Sequence, residues 1–157
     1  MSNNNKDESG QIIELKSVRD AKTEEKRRRF ERIIFRHSLG SYIVTDENTL
    51  SAVELVDVSF EGLSFQLPIS SKNRSGIMAG NDYSFRLYFS EDSYLSLTVE
   101  VVNTRPCIEE SANYIRYGCK LDTTSQSYET YRGFVQFLTQ YAATATADVK
   151  EMKVSYF

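Results

Sequence analysis

The chain has 157 residues, of which 40% are hydrophobic and 26% charged, enough for one domain with a real core and ordinary for a globular protein. No apolar run reaches membrane-spanning length and the start, MSNNNKDESG, is polar, so no transmembrane segment and a cytosolic location are expected. Two cysteines, Cys107 and Cys119, exclude a disulfide framework, and a lone histidine, His37, argues against a zinc site.

In chain order, residues 1–10 read as disordered. From Gln11 to Glu25, apolar Ile12, Leu15, Val18 and Ala21 recur every three residues, a spacing that allows a short amphipathic helix. The stretch KRRRFERIIFR follows, from Lys26 to Arg36, with five arginines and a lysine. Seven basic and three acidic residues lie between Lys22 and Arg36, a local charge of +4 that leaves −7 elsewhere against a net charge of −3. A polyanion-wrapping protein spreads its positive charge more widely, so this pattern suits a small anionic ligand and no nucleic acid polymer.

Beyond the basic cluster the hydrophobic period becomes two. SYIVT, GLSFQLP, YSFRLYF, LSLTVEV and IRYGCKL each present one apolar face, with turn signals between them, including PISSKNRSG at 68–76 and RPCIEESAN at 105–113. Six or so short strands of this kind suggest a small closed or nearly closed barrel, which removes exposed edges. The period then returns to a helical one: YETYRGFVQFLTQYA places Tyr131, Phe134, Val135, Leu138 and Tyr141 on one stripe, with Ser125 or Ser127 as its cap. Gly133 costs this helix about 1 kcal/mol relative to alanine, a cost that close packing would offset. The tail from 144 carries apolar Val154, Tyr156 and Phe157 and is a candidate partner surface.

Arg28 and Arg32 are spaced RxxxR, and downstream DVSFEG supplies Asp57, Ser59 and Gly62 as DxSxxG. Together these resemble the two signature motifs of the PilZ domain, and RYGCKL resembles its glycine-containing late strand, with Gly118 at the matching place. The resemblance covers about 27–143. It implies a six-stranded antiparallel β-barrel at about 32–124 with a C-terminal helix at about 126–143, preceded by a flexible N-terminal arm (1–26) and followed by a tail (144–157). It further implies a non-enzymatic receptor for cyclic di-GMP that works through a protein partner. The ligand-binding residues carried over are Arg28, Arg32, Asp57, Ser59, Gly62 and Gly118. Arg32 and Arg36 form a second RxxxR, but Arg32 directly precedes the apolar IIF, as the family's second arginine does. Arg27 then stands immediately before the motif, where an arginine in the family accompanies two stacked ligand molecules.

Elementary chemistry agrees with these roles. Arginine pairs bidentately with phosphate and with guanine O6 and N7, and stacks on bases. A carboxylate at Asp57 accepts from guanine N–H groups. Asp57 and Ser59 are two apart and would share a strand face, with Gly62 permitting a tight turn through a positive backbone dihedral. Tyr83, Tyr88 and Tyr117 are candidates to stack on a base. Two other functions stay open: a PilZ-like adaptor that binds a protein without nucleotide, and an RNA-binding barrel whose basic arm contacts phosphates.

Overall fold

A computed structural model describes residues 18–29, 31, 35, 39–45, 48–69, 76–108 and 112–146. An N-terminal helix α1 (18–29) is followed by β1 (Gly40–Val44), β2 (Leu50–Ala52), β3 (Glu54–Val58), β4 (Gly62–Pro68), β5 (Asp82–Tyr88), β6 (Tyr94–Ile108), β7 (Asn113–Leu121) and helix α2 (Gln126–Thr144). All strand pairs are antiparallel, in the order β2-β1-β5-β6-β7-β4-β3.

This corrects the expected six-stranded closed barrel: there are seven strands and the ladder is open, with β2 at one edge and β3 at the other. The physical reason lies at Val53. One extended segment, 50–58, divides its hydrogen bonds between two neighbours, so β2 pairs with β1 and β3 pairs with β4. Val53 N–H, at the corner, bonds Ser41 O at 2.9 Å. The two edges are therefore joined by the chain itself and not by a ladder. The sheet is nonetheless strongly curled. Three strand spacings separate β4 from β5 through β7 and β6, roughly 14 Å in a flat sheet, yet the rings of Phe65 and Phe85 lie 5.8 Å apart at their centroids. Around them Ile43, Leu55, Leu87, Leu97, Val99 and Val101 form one buried core.

β6 runs further than its turn signal suggested, through Pro106 to Ile108, paired with β7. Its pairing with β5 ends at Glu100, so residues 102–108 form an edge, where a proline is tolerated. Helix α2 buries Tyr131, Val135, Leu138 and Ala142. Ala142 thus takes the place expected for Tyr141, which is exposed. Ser125 is the N-cap residue, but its hydroxyl turns back to Asp122 O at 3.0 Å and caps no helical N–H. A Cβ on Gly133 would meet nothing within 4 Å, so close packing does not explain that glycine. Of the expected flexible arm (1–26), the described residues 18–26 are helical, and Val18 of its anticipated apolar stripe is exposed.

Candidate functional site

Two β-bulges create the site. In β3, Leu55 pairs with Phe65 and Asp57 with Ser64, leaving Val56 as the extra residue. In β6, Val101 pairs with Cys119 and Asn103 with Gly118, leaving Val102 as the extra residue. A bulge inserts one residue and reverses the facing of the residues after it. Leu55 and Val101 point into the core, and strict alternation would send Asp57 and Asn103 after them. The bulges turn both outward. Because Ser64 also pairs with Gly118, Asp57, Ser64, Gly118 and Asn103 form one polar row across β3, β4, β7 and β6. The row floors a groove of about 250 Å³ that Ser59 and Gly62 also line.

The two glycines serve close approach. A Cβ on Gly62 would stand 2.2 Å from Cys119 O, so β4 and β7 can lie together only without one. The anticipated positive dihedral at Gly62 is not found; among the described glycines only Gly80 has one. A Cβ on Gly118 would stand 2.6 Å from Asn103 Oδ1, so the Asn103 amide lies over the space Gly118 leaves. Ser59 closes the β3–β4 turn: its N–H donates to Gly62 O at 2.8 Å, and its Oγ accepts from Gly62 N–H at 3.2 Å. Helix α2 clamps the same turn, with Tyr131 Oη donating to Gly62 O at 2.9 Å and Tyr128 Oη to Phe60 O at 3.0 Å. Burial pushes the Tyr131 phenol well above its ordinary value and the Cys119 thiol up to about 12, so both stay neutral and inert.

The arginines approach from the Asp57 end. Arg27 donates to Val58 O at 3.2 Å and its guanidinium lies 3.9 Å from Asp57, which ties α1 to the rim of the groove. It also pairs with Glu24 and Glu31, each at 2.6 Å. The Glu24 bond raises the Arg27 pKa and in turn lowers that of Glu24. Glu31 differs. Its burial outweighs the pull of Arg27 and pushes its carboxyl up to about 7. Arg28 is largely exposed, held only by Glu24 at 3.3 Å among the described residues. Arg32, Arg36 and His37 lie outside the described residues.

Tyr83 and Tyr117 are corrected as base-stacking candidates. Both are buried, Tyr117 stacked on Phe65 at 5.0 Å and Tyr83 bonded to Gly76 O and Met78 N. Tyr88 packs between Tyr42 and Tyr94, away from the groove lining. Sequence reasoning missed Asn103, Ser64 and Glu31. Ser64 had a signal, as the polar position of an alternating strand; Asn103 had none, because the bulge that exposes it breaks the alternation.

Among the described residues no cluster of His, Cys, Asp and Glu is suited to a metal, and no helix is long and apolar enough to cross a membrane.

The family model described as PilZ domain matches residues 26–137. No curated protein sequence matches the chain. Among solved structures, Klebsiella ("K. pneumonia") MrkH aligns with a TM-score of 0.55 and 13% identity, over 68% of this chain and 46% of that one. The PilZ domain of Escherichia coli YcgR with c-di-GMP aligns with a TM-score of 0.51 and 14% identity, over 68% and 86%. A K. pneumonia MrkH–c-di-GMP complex aligns with a TM-score of 0.52 and 10% identity, over 68% and 47%. The aligned part of this chain thus spans about half the length of the MrkH structures, and at these identities the likeness is one of fold.

Proposed function

Because this chain belongs to the PilZ domain family, we propose that it is a receptor that takes cyclic di-GMP onto the Asp57–Asn103 row and signals through a protein partner. The observation that supports this is that Arg27, the residue just before the RxxxR motif, meets the DxSxxG segment. Arg27, at the head of the arginine segment, reaches Val58 O and the neighbourhood of Asp57, so the segment that holds Arg28 and Arg32 starts at the rim of the groove. Asp57 accepts from guanine N–H groups, Arg28 and Arg32 pair with phosphate or the guanine O6/N7 edge, and Ser59, Gly62 and Gly118 shape the floor. Two charge-assisted contacts of about 1.5–3 kcal/mol each supply much of the roughly 8 kcal/mol of a micromolar complex. Ligand binding orders the arginine arm over the groove, and the rearranged surface is what the partner reads. Arg27 serves a second, stacked ligand molecule once its carboxylate partners release it.

Isothermal titration with cyclic di-GMP, with GMP and cyclic di-AMP as controls, tests this. Saturable binding, micromolar or tighter and selective over both controls, is the expected result. Absence of heat at high ligand concentration would overturn it.

A further inference from the structure

We infer that Asn103 is a specificity-determining residue of this groove, its side-chain amide donating a hydrogen bond to O6 or N7 of a bound guanine. This rests on the cyclic di-GMP proposal and adds to it a residue outside both arginine and DxSxxG motifs.

Four observations converge on Asn103. It ends the polar row that Asp57 begins, joined to it register by register through Ser64 and Gly118. It faces the groove only because Val102 bulges out of β6. The strand opposite has a glycine, and the Asn103 amide rests over the space that its missing side chain leaves. Finally, no intramolecular hydrogen bond engages the Asn103 amide among the described residues, although nearby Gln66 bonds both Glu54 and Arg116. A solvated amide on a groove floor is free to exchange water for a ligand.

The two ends of the row are chemically complementary. The ionised Asp57 carboxylate only accepts, and suits the N–H groups of guanine. The Asn103 amide carries two N–H donors and suits the acceptors O6 and N7. A purine base is thereby approached by an acceptor at one end of the row and by a donor at the other. The charge on this side also favours an electron-rich edge. The next row on the same face runs Glu54, Gln66, Arg116 and Arg105, with its two cations opposite each other at the Asn103 end and its one anion at the far end.

The test is titration of cyclic di-GMP into the wild type, Asn103→Ala and Asn103→Asp, with cyclic di-IMP, which keeps O6 and N7 but lacks the 2-amino group, as a second ligand. Asn103 is exposed, so both variants are expected to keep the wild-type unfolding midpoint. Asn103→Ala should lose about tenfold in affinity, the scale of one hydrogen bond to a base. Asn103→Asp should lose at least as much, because a carboxylate faces the acceptor edge. The fold-loss should be the same with cyclic di-IMP. If the wild type binds cyclic di-GMP while Asn103→Ala stays within twofold of it, or Asn103→Asp binds as tightly, the role of Asn103 is overturned and the receptor proposal stands. If the wild type does not bind, both fall together.

Discussion

Arg27 and Glu31 face each other at 2.6 Å one helical turn apart, and Glu31 is fully buried. The pair sits where α1 meets the sheet, beside Asp57 and Glu24, so three carboxylates converge on one guanidinium. One Glu31 oxygen has no hydrogen-bond partner among the described residues. Burial of this charge is costly even beside a cation.

That cost makes stability depend on pH. The folded-state pKa of Glu31, about 7, lies above the ordinary 4.5. Between these values the folded protein holds a proton that the unfolded chain has lost. The stabilising contribution is therefore present in full below about 4.5 and disappears as pH rises through about 7. The titratable groups near Glu31 are Arg27, Asp57, Glu24 and, from α2, the Tyr131 phenol. Thermal unfolding of the ligand-free protein should show the midpoint falling by several degrees between pH 5.5 and 8, at about 2–4 °C per kcal/mol for a chain of this size. Glu31→Gln, which cannot ionise, should flatten that slope. An equal slope in both proteins would remove Glu31 as its source.

Arg28 and Arg32 are expected to matter for binding, and exposed Arg28 little for folding. Arg28 is mostly exposed, and an exposed pair such as Arg28–Glu24 adds little stability. Arg28→Ala and Arg32→Ala should each weaken cyclic di-GMP binding at least tenfold. For Arg28→Ala the unfolding midpoint should stay unchanged. Unaltered binding in both would refute their assignment to phosphate or guanine.

Two glycines make opposite predictions. Gly62→Ala drives a Cβ onto the Cys119 carbonyl, a backbone atom fixed in the β4–β7 ladder, and should cost about 1–3 kcal/mol. Gly133→Ala places a methyl in open space on α2 and should stabilise by about 1 kcal/mol. Urea midpoints would move down for the first and up for the second. A destabilised Gly133→Ala would reveal a packing role that the helix does not display.

Much of this was legible in the sequence because period-two alternation and the helical stripe are local signals. GLSFQLP, YSFRLYF and IRYGCKL became β4, β5 and β7, and YETYRGFVQFLTQYA lies within α2. What stayed hidden depends on register, which alternation alone does not set. The sharing of 50–58 between two neighbours turns an anticipated closed barrel into an open sheet. Asp57 and Ser59 were expected to share a strand face, but β3 ends at Val58 and Ser59 lies in the turn; counted from buried Leu55, alternation places Asp57 inside, and the bulge at Val56 turns it out. Asn103 escaped notice for the same reason, and Glu31 because a glutamate amid arginines reads as solvated charge.

The number of ligands bound tests the arrangement around Arg27 most directly. A second stacked cyclic di-GMP would bring two more phosphates and another pair of guanines, and Arg27 is the cation proposed to receive them. Its guanidinium is held by Glu24 and Glu31 at 2.6 Å, so the second ligand has to displace carboxylates that the chain itself supplies. The endpoint for the wild type should be two ligands per chain, the second bound more weakly than the first. Arg27→Ala should lower the endpoint to one. Glu24→Ala removes the more exposed competitor without leaving a buried charge unpaired, and should strengthen the second step while leaving the first within about twofold. A wild-type endpoint of one ligand, unchanged in Glu24→Ala, would mean that Arg27 fastens α1 to the sheet and takes no part in a second binding event.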